Sequence, residues 1–545
     1  MSKKKKTPPV AAPSSKETKA SKSRTLIRIP AWVTYGLGFV LLAVFCIWTY
    51  GEVFRQIAEE NFVCSDTEAM TFVRRQSFGY LHWAARYALV LYKWKWIGGL
   101  LMAALLTFTA WLFDRCICPK GRKVVTTQGF GFLPVFALLS WMVYRGFNLY
   151  FRCEISTFVM WTFALFALAA VLAVVMTLVF RFKRKKPATE SSYALWKNLP
   201  VCGVLALLAY GGVTYQALVP AQNVRISCEM QNLMIEEDWD AMADIARTAV
   251  QPSRSVAAYF VIALVQQNQL LEHVFDIPYN YPKLTLDDVG GSDEGINYIA
   301  DCNLYAGLPL GAYRTSMENS VMQGPRLHHY KRMAICSILN GEVALANRYL
   351  HLISKVPFEQ DFVDEYTPYV GNPDLQMKNP VFARILDLYP REKKLEQNYR
   401  QPLFLGYNAG LLSGSDATLI TSVATCMYSK DLNNLLLRTN FLQQKQSLPL
   451  TVQQSLAVAS LKRPGLLDQY PQVKANPMLM QELTRFITDA HPYIAEPTAS
   501  DSIKKIMKAE MAKALRKDWL GSYYYYYYCG NIDQTVKKAE THGVN

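Results

Sequence analysis

Two hydrophobic rhythms divide the chain. Up to about residue 220, long apolar runs are separated by short polar segments. After Pro220 the apolar positions follow a helical period, and turn signals arrive every 12 to 20 residues. A helix needs about 20 apolar residues to cross a bilayer. Five runs meet or approach that length: 31–50, 94–113, 129–147, 157–180 and 199–219. The third carries Arg145 near its far end, close enough to snorkel to the interface. Trp32, Trp48 and Trp94 lie near run ends, where an amphipathic ring meets both apolar and wet surroundings. The pattern predicts an all-α fold. An amino-terminal bundle of about five transmembrane helices occupies 31–219, and an α-solenoid soluble domain occupies 220–545.

Charge gives the bundle an orientation. The 545 residues carry a net charge of +15, and residues 1–31 hold nine Lys or Arg against Glu17. Most of the remaining excess sits in RCICPKGRK and RFKRKK. All three basic segments flank apolar runs, and each is two spans from the next, which is the positive-inside pattern. The charge therefore points to a lipid bilayer and away from nucleic acid. The tail 1–30 is rich in Lys, Ser, Pro and Ala, and is expected to be disordered in the cytoplasm. The first run is longer than a signal-peptide core and no A-x-A site follows it, so it reads as a signal anchor. Five crossings then place residues 220–545 outside the cytoplasm. The loop 51–93 falls on that same side, and its mixed polarity predicts one or two amphipathic helices on the membrane surface.

Repeats appear in the second half. In Tyr330–Pro357, the residues Ala334, Gly341, Ala346, Leu350, Ile353 and Pro357 fall at offsets 0, 7, 12, 16, 19 and 23. The small residues let two helices approach, Gly341 makes the turn, and Pro357 ends the second helix. This spacing resembles a tetratricopeptide repeat. Ala300, Gly307 and Ala312 repeat the first three offsets 34 residues earlier, the period of that class. Further helical hairpins are expected at MQNLMIEEDWDAMADIARTAV, AAYFVIALVQQNQLLEHVF and LITSVATCMYSKDLNNLLLRTNFL. The segments RLHHYKRMAICSILNGEVALANRYLHLISKVPF, ATCMYSKDLNNLLL and YYYYYY resemble a domain-of-unknown-function family of bacterial multi-span membrane proteins with a tetratricopeptide-like carboxyl-terminal region. The resemblance implies a bacterial inner membrane with the helical region in the periplasm. It carries no catalytic or ligand-binding residue.

Candidate chemistry is sparse. The seven histidines form no H-E-x-x-H, and His328 and His329 point in two directions on a helix. No P-loop and no G-x-S-x-G occurs. No metal and no cofactor is expected. The acidic residues of the first outer loop, Glu59, Glu60 and Asp66 among them, allow one catalytic reading. Multi-span sugar transferases that use lipid-linked donors keep a carboxylate in that loop, where it can act as a general base. The plainer reading makes these groups solvated faces and helix ends. Cys64, Cys153, Cys228, Cys302, Cys336, Cys426 and Cys529 are scattered, so most are expected to be buried thiols, with one or two bridges at most. The run Tyr523–Tyr528 is read as a final packing element that covers the apolar edge of the helical domain.

These observations favour a non-enzymatic scaffold or adaptor in the cell envelope, with a protein or peptide partner on the helical-repeat domain. The alternative is a membrane enzyme of envelope glycan or lipid assembly, resembling glycosyltransferases, that uses Glu59, Glu60 or Asp66.

Overall fold

The computed structural model describes residues 31–66, 68, 70–117, 129–144, 154–182, 201–279, 298–389 and 415–530. The basic tail 1–30, most of the two basic loops, Arg145 and Cys153 lie outside the described residues. Among those described, helix is the only extended regular structure, and strand pairing is limited to one isolated bridge between Asn61 and Arg326.

Helices of seven residues or more are numbered here in chain order. The apolar part holds α1 (Ala31–Val44), α2 (Gly51–Glu60), α3 (Gly79–Val90), α4 (Lys95–Ile117), α5 (Phe132–Tyr144), α6 (Thr157–Phe182) and α7 (Val201–Leu218). A π-turn, Phe45–Thr49, extends α1 toward α2. Among the described residues, four helices are long and apolar enough to cross a membrane: α1 with its extension, α4, α6 and α7. The helix α5 is shorter, at 13 residues, yet it runs beside α7 in the same direction. A Cβ on Gly129, just before α5, would stand 3.5 Å from Gly203 near the start of α7. Toward the other end, Ser140 bonds Gln216 at 2.8 Å. Asp114, near the end of α4, fixes the entry to α5. It accepts from the backbone N–H of Gly131 at 2.7 Å and of Gly129 at 3.0 Å, and from the Tyr35 hydroxyl at 2.7 Å. An acid at a helix N-terminus satisfies N–H groups that have no partner within the helix.

The remaining described chain forms α8 (Gln222–Ile235), α9 (Trp239–Arg247), α10 (Arg254–Gln266), α11 (Tyr298–Tyr305), α12 (Pro309–Gln323), α13 (Leu327–Leu339), α14 (Val343–Ile353), α15 (Gln360–Tyr366), α16 (Pro380–Asp387), α17 (Asp416–Ser429), α18 (Leu432–Leu442), α19 (Leu450–Ser460), α20 (Pro477–Ala490), α21 (Asp501–Trp519) and α22 (Tyr523–Cys529). Every expected hairpin is present, and five turns share one construction. Glu237, Asn268, Gly307, Gly341 and Lys430 all have positive φ, between 56° and 77°. The next residue in each case donates its N–H to a carbonyl five residues back, at 2.8–3.0 Å. This is the Schellman arrangement, which ends one helix and launches the next. Ala300, Ala312, Ala334 and Ala346 are fully buried where paired helices meet.

The packing is not a simple linear stack, in which each repeat touches its sequence neighbours alone. Helices α17 to α22 return to the segment 254–279 and share a core with it. The tyrosine run forms the centre of that closure. Ser522 caps α22 by accepting from the Tyr525 N–H at 3.1 Å. Seven residues make about two turns, so tyrosines face all sides, and a helix apolar all round must be buried. Tyr523 to Tyr526 are buried. Their hydroxyls donate to the carbonyls of Met427, Leu479, Ala512 and Tyr428, on the three helices α17, α20 and α21. Phe275 stacks on Tyr526 with ring centroids 4.6 Å apart. The run is therefore a packing element, as expected, but it plugs a core instead of covering an edge.

Truncating the plug should cost far more than trimming its hydroxyl. Tyr526→Ala should destabilise by about 3–5 kcal/mol and Tyr526→Phe by about 1 kcal/mol. Thermal unfolding of the solubilised protein would check this, and equal effects would contradict the plug.

Candidate functional site: the junction around the first loop

Helix α2 reads as polar, with Glu52, Arg55, Gln56, Glu59 and Glu60 in ten residues. Yet eight of its ten residues are buried. It does not lie on a surface as the pattern suggested. It is wedged between the apolar bundle and the helical hairpins, because every polar side chain finds a partner on another element. Glu52 accepts from Lys95 at 2.5 Å and from Asn232 at 2.8 Å. Arg55 bonds Glu236 at 2.6 Å, and Gln56 bonds Gln231 at 2.6 Å. Glu59 meets Lys331 at 3.2 Å, and Glu60 meets Arg326 at 2.6 Å. Lys331 also holds Glu359 at 2.7 Å, which in turn holds Lys93 at 3.0 Å.

Arg86 on α3 ties three segments together. It pairs with both carboxylate oxygens of Glu154 at 2.6 and 2.9 Å, and donates to the carbonyls of Phe62 and Pro325 at 2.8 and 3.2 Å. Its own carbonyl accepts from Asn61 at 2.7 Å. Arg86 and Arg326 are each 1% exposed. Below these ion pairs, Phe62, Val63, Cys64, Met70 and Val73 of the loop share a core with Leu327, Ala334, Leu350, Ile353 and Val356.

Electrostatics follow from burial. Burial raises the Glu154 carboxyl, but the Arg86 guanidinium outweighs it and holds the value down at about 2. Burial also works against ionised Glu59, yet Lys331, Lys93 and Arg55 keep it below the ordinary range. At Glu60 burial wins over Arg326 and the carboxyl is raised. The rings of His328 and His329 are pushed well down, first by burial, and their nitrogens have no hydrogen-bond partner.

The sequence-nominated acids thus have different surroundings. Glu60 is 0% exposed and sealed against Arg326. Asp66 is on the surface, 4.0 Å from Lys355. Glu59 lines a cavity of about 170 Å³ between α2, α8, α11, α13, α15 and α16. Sequence reasoning missed Ser156, His82 and Glu154, which meet at 2.9 and 3.0 Å. Ser156 lies between the other two, whereas a nucleophilic triad needs the histidine there, and Ser156 is 0% exposed. Among the described residues no group of three His, Cys, Asp or Glu is placed to hold a metal. The described cysteines are all free thiols, and Cys64, Cys228, Cys302, Cys336, Cys426 and Cys529 are buried.

Fold and junction define a helical protein in which an apolar multi-helix part is clamped to a set of helical hairpins. The chain belongs to a family of unknown function, DUF6057, whose model matches residues 143–530. That segment contains Glu154, Arg326, Lys331 and Glu359, while Arg86, Glu60, Glu59 and Lys93 precede it. No curated protein and no solved structure matches the chain.

Removing one member of a buried pair strands the other. Arg326→Ala should therefore cost about 3–5 kcal/mol, and adding Glu60→Ala should restore part of the loss. Thermal unfolding of the two variants checks the coupling. Acid should act through Glu154. Its folded value is about 2 against an ordinary 4.5, so its contribution is complete above pH 4.5 and is lost as pH falls toward 2. Hydrogen exchange of residues 61–63 should speed up over that window.

Proposed function

We propose that this chain is a five-span integral membrane protein with its helical hairpins outside the cytoplasm, acting as a scaffold or adaptor of the bacterial cell envelope. The observation that carries the reading is the wedged helix α2. It is buried against the hairpins at the end of the bundle, so α2 and the hairpins lie on the same side of the bilayer. An even number of crossings must then separate residue 60 from residue 220. Among the described helices between them, only α4, α6 and α7 are long enough by themselves, which would give three. The position of α5 beside α7 supports a fourth crossing, and α1 makes five. The basic tail and loops then fall together on the opposite face, in agreement with the positive-inside rule.

A tetratricopeptide-like reading of the hairpins draws support from the 34-residue spacing of Ala300 and Ala334 and from the repeated turns. Paired helices of this kind present surfaces suited to a protein or peptide partner. The clamp would hold that surface at a fixed angle to the membrane. A catalytic role for the first loop needs an accessible base, and Glu60 is sealed while Glu59 is held by Lys331. The scaffold reading is favoured on that ground.

The first test is the side on which the carboxyl-terminal region lies. A reporter active only outside the cytoplasm, fused after Asn545, should be active. A reporter that fluoresces only inside should be dark. The reverse result would overturn both the five-span count and the envelope assignment.

A further inference from the structure

The cavity at the junction has a chemical bias of its own. Four carboxylates line it, Glu59, Glu237, Asp301 and Glu365, against two cations, Lys331 and Arg332. Both cations are already matched. Arg332 is held by Asp301 at 2.6 Å, and Lys331 by Glu59 and Glu359. Glu237 and Glu365 are left over. Both are exposed, so they form the mouth, and neither has an ion-pair partner among the described residues. Burial first, and then the charge of Glu365, raise the Glu237 carboxyl. The mouth is therefore a place where a positive charge is missing.

The floor makes an independent demand. Gln56 and Gln231 are 4% and 5% exposed and line the cavity. Their mutual bond uses one amide group of each, and Gln56 Oε1 and Gln231 Nε2 have no partner. Turning both amides over leaves the same count, one acceptor and one donor unused. A buried polar group without a partner costs free energy that a ligand can recover. Between floor and mouth the wall is aromatic, with Tyr305, Phe362 and Tyr366. Aromatic faces attract cations.

The backbone at Glu237 points the same way. Its φ of 56° belongs to the left-handed region, where bulky residues are uncommon. Three of the four equivalent turns use Gly or Asn. The fourth uses Lys430, whose side chain binds the Tyr527 and Gly530 carbonyls. A long side chain at this turn position has a task there, and Glu237 faces the cavity.

We infer that the cavity binds a small primary ammonium compound of amino-alcohol size. The ammonium lies at the mouth, between Glu237, Glu365 and the aromatic wall, and the far end of the molecule reaches the orphan atoms of Gln56 and Gln231 on the floor. A hydroxyl or ether oxygen accepts from Gln231. Among the described residues an anion meets no free cation here, and no group of three His, Cys, Asp or Glu is placed to hold a metal ion. The volume, about 170 Å³, is below the roughly 300 Å³ at which pockets for larger ligands begin. The inference is independent of the scaffold reading. The ammonium belongs either to a free amine or to a lipid headgroup, and the test separates the two.

Full-length protein in phosphatidylcholine nanodiscs is titrated with ethanolamine, tetramethylammonium and acetate, followed by calorimetry and thermal unfolding. Ethanolamine should bind saturably and raise the melting temperature. Tetramethylammonium, which cannot donate a hydrogen bond, should bind about tenfold more weakly, and acetate should not bind. Glu237→Gln and Glu365→Gln are surface changes that should leave the unliganded melting temperature in place, and each should weaken ethanolamine about tenfold. If free ethanolamine is silent but nanodiscs with ethanolamine headgroups stabilise the wild type and not these variants, the headgroup is the source. No ammonium-dependent effect in either membrane, an effect unchanged in both variants, or preferential binding of acetate would overturn the inference.

Discussion

The architecture depends on neutralising charge away from water. Helix α2 carries three acids and an arginine into a position where most of its surface is buried. Taking ions out of water costs several kcal/mol each, and only close, well-directed partners offset that cost. The partners come from both sides. Lys95 belongs to the bundle, while Asn232, Glu236, Arg326 and Lys331 belong to the hairpins. Arg86 adds a second tie, spanning the loop, the approach to α6 and the entry to α13. Apolar contact alone is non-directional, and it would let the hairpins slide over the bundle. The ion pairs fix one register, because a shift of a single helical turn would leave several buried charges unmatched.

Much of the fold was legible because its signals are local. The apolar runs at 31–50, 94–113, 157–180 and 199–219 reappear as helices within a few residues, since length and composition suffice to define them. The hairpin turns were only partly legible. Gly307 and Gly341 announce a left-handed residue, but Glu237, Asn268 and Lys430 take the same conformation without announcing it. Two of the five turns were therefore visible in the sequence. The junction was not legible at all. Its pairs join residues up to 272 positions apart, and no local pattern says that Glu60 will meet Arg326. A polar helix in an outer loop reads as a surface helix until its partners are known. Of the acids named from the sequence, Glu59 does line the cavity. Gln56, Gln231, Glu237 and Glu365 carried no motif to draw attention.

The tyrosine run shows why residue type must be read with position. Tyrosine combines a large apolar body with one hydroxyl, so a helix made of it can be buried and still bond three neighbouring helices through four of their carbonyls. Phenylalanine would fill the same volume without fixing the angle of α22. Lys430 closes the far end of that helix, at the Tyr527 and Gly530 carbonyls, where a cation suits the helix dipole. Distant parts of the chain are thereby joined in one core, and the last helices stabilise the hairpins that precede them by more than 200 residues.

The separation between Glu60 and Arg326 has a meaning for synthesis. Translation proceeds at roughly 5–20 residues per second, and the two residues are 266 apart. Helix α2 therefore emerges roughly 15–50 seconds before the arginine that neutralises it. During that interval its carboxylates must stay hydrated, so the wedge is laid down last although it is made first. A polar sequence at α2 suits a nascent segment that stays in water until its counter-charges arrive. Assembly of this protein is in that sense a timed event, with the junction closing only when both halves are complete.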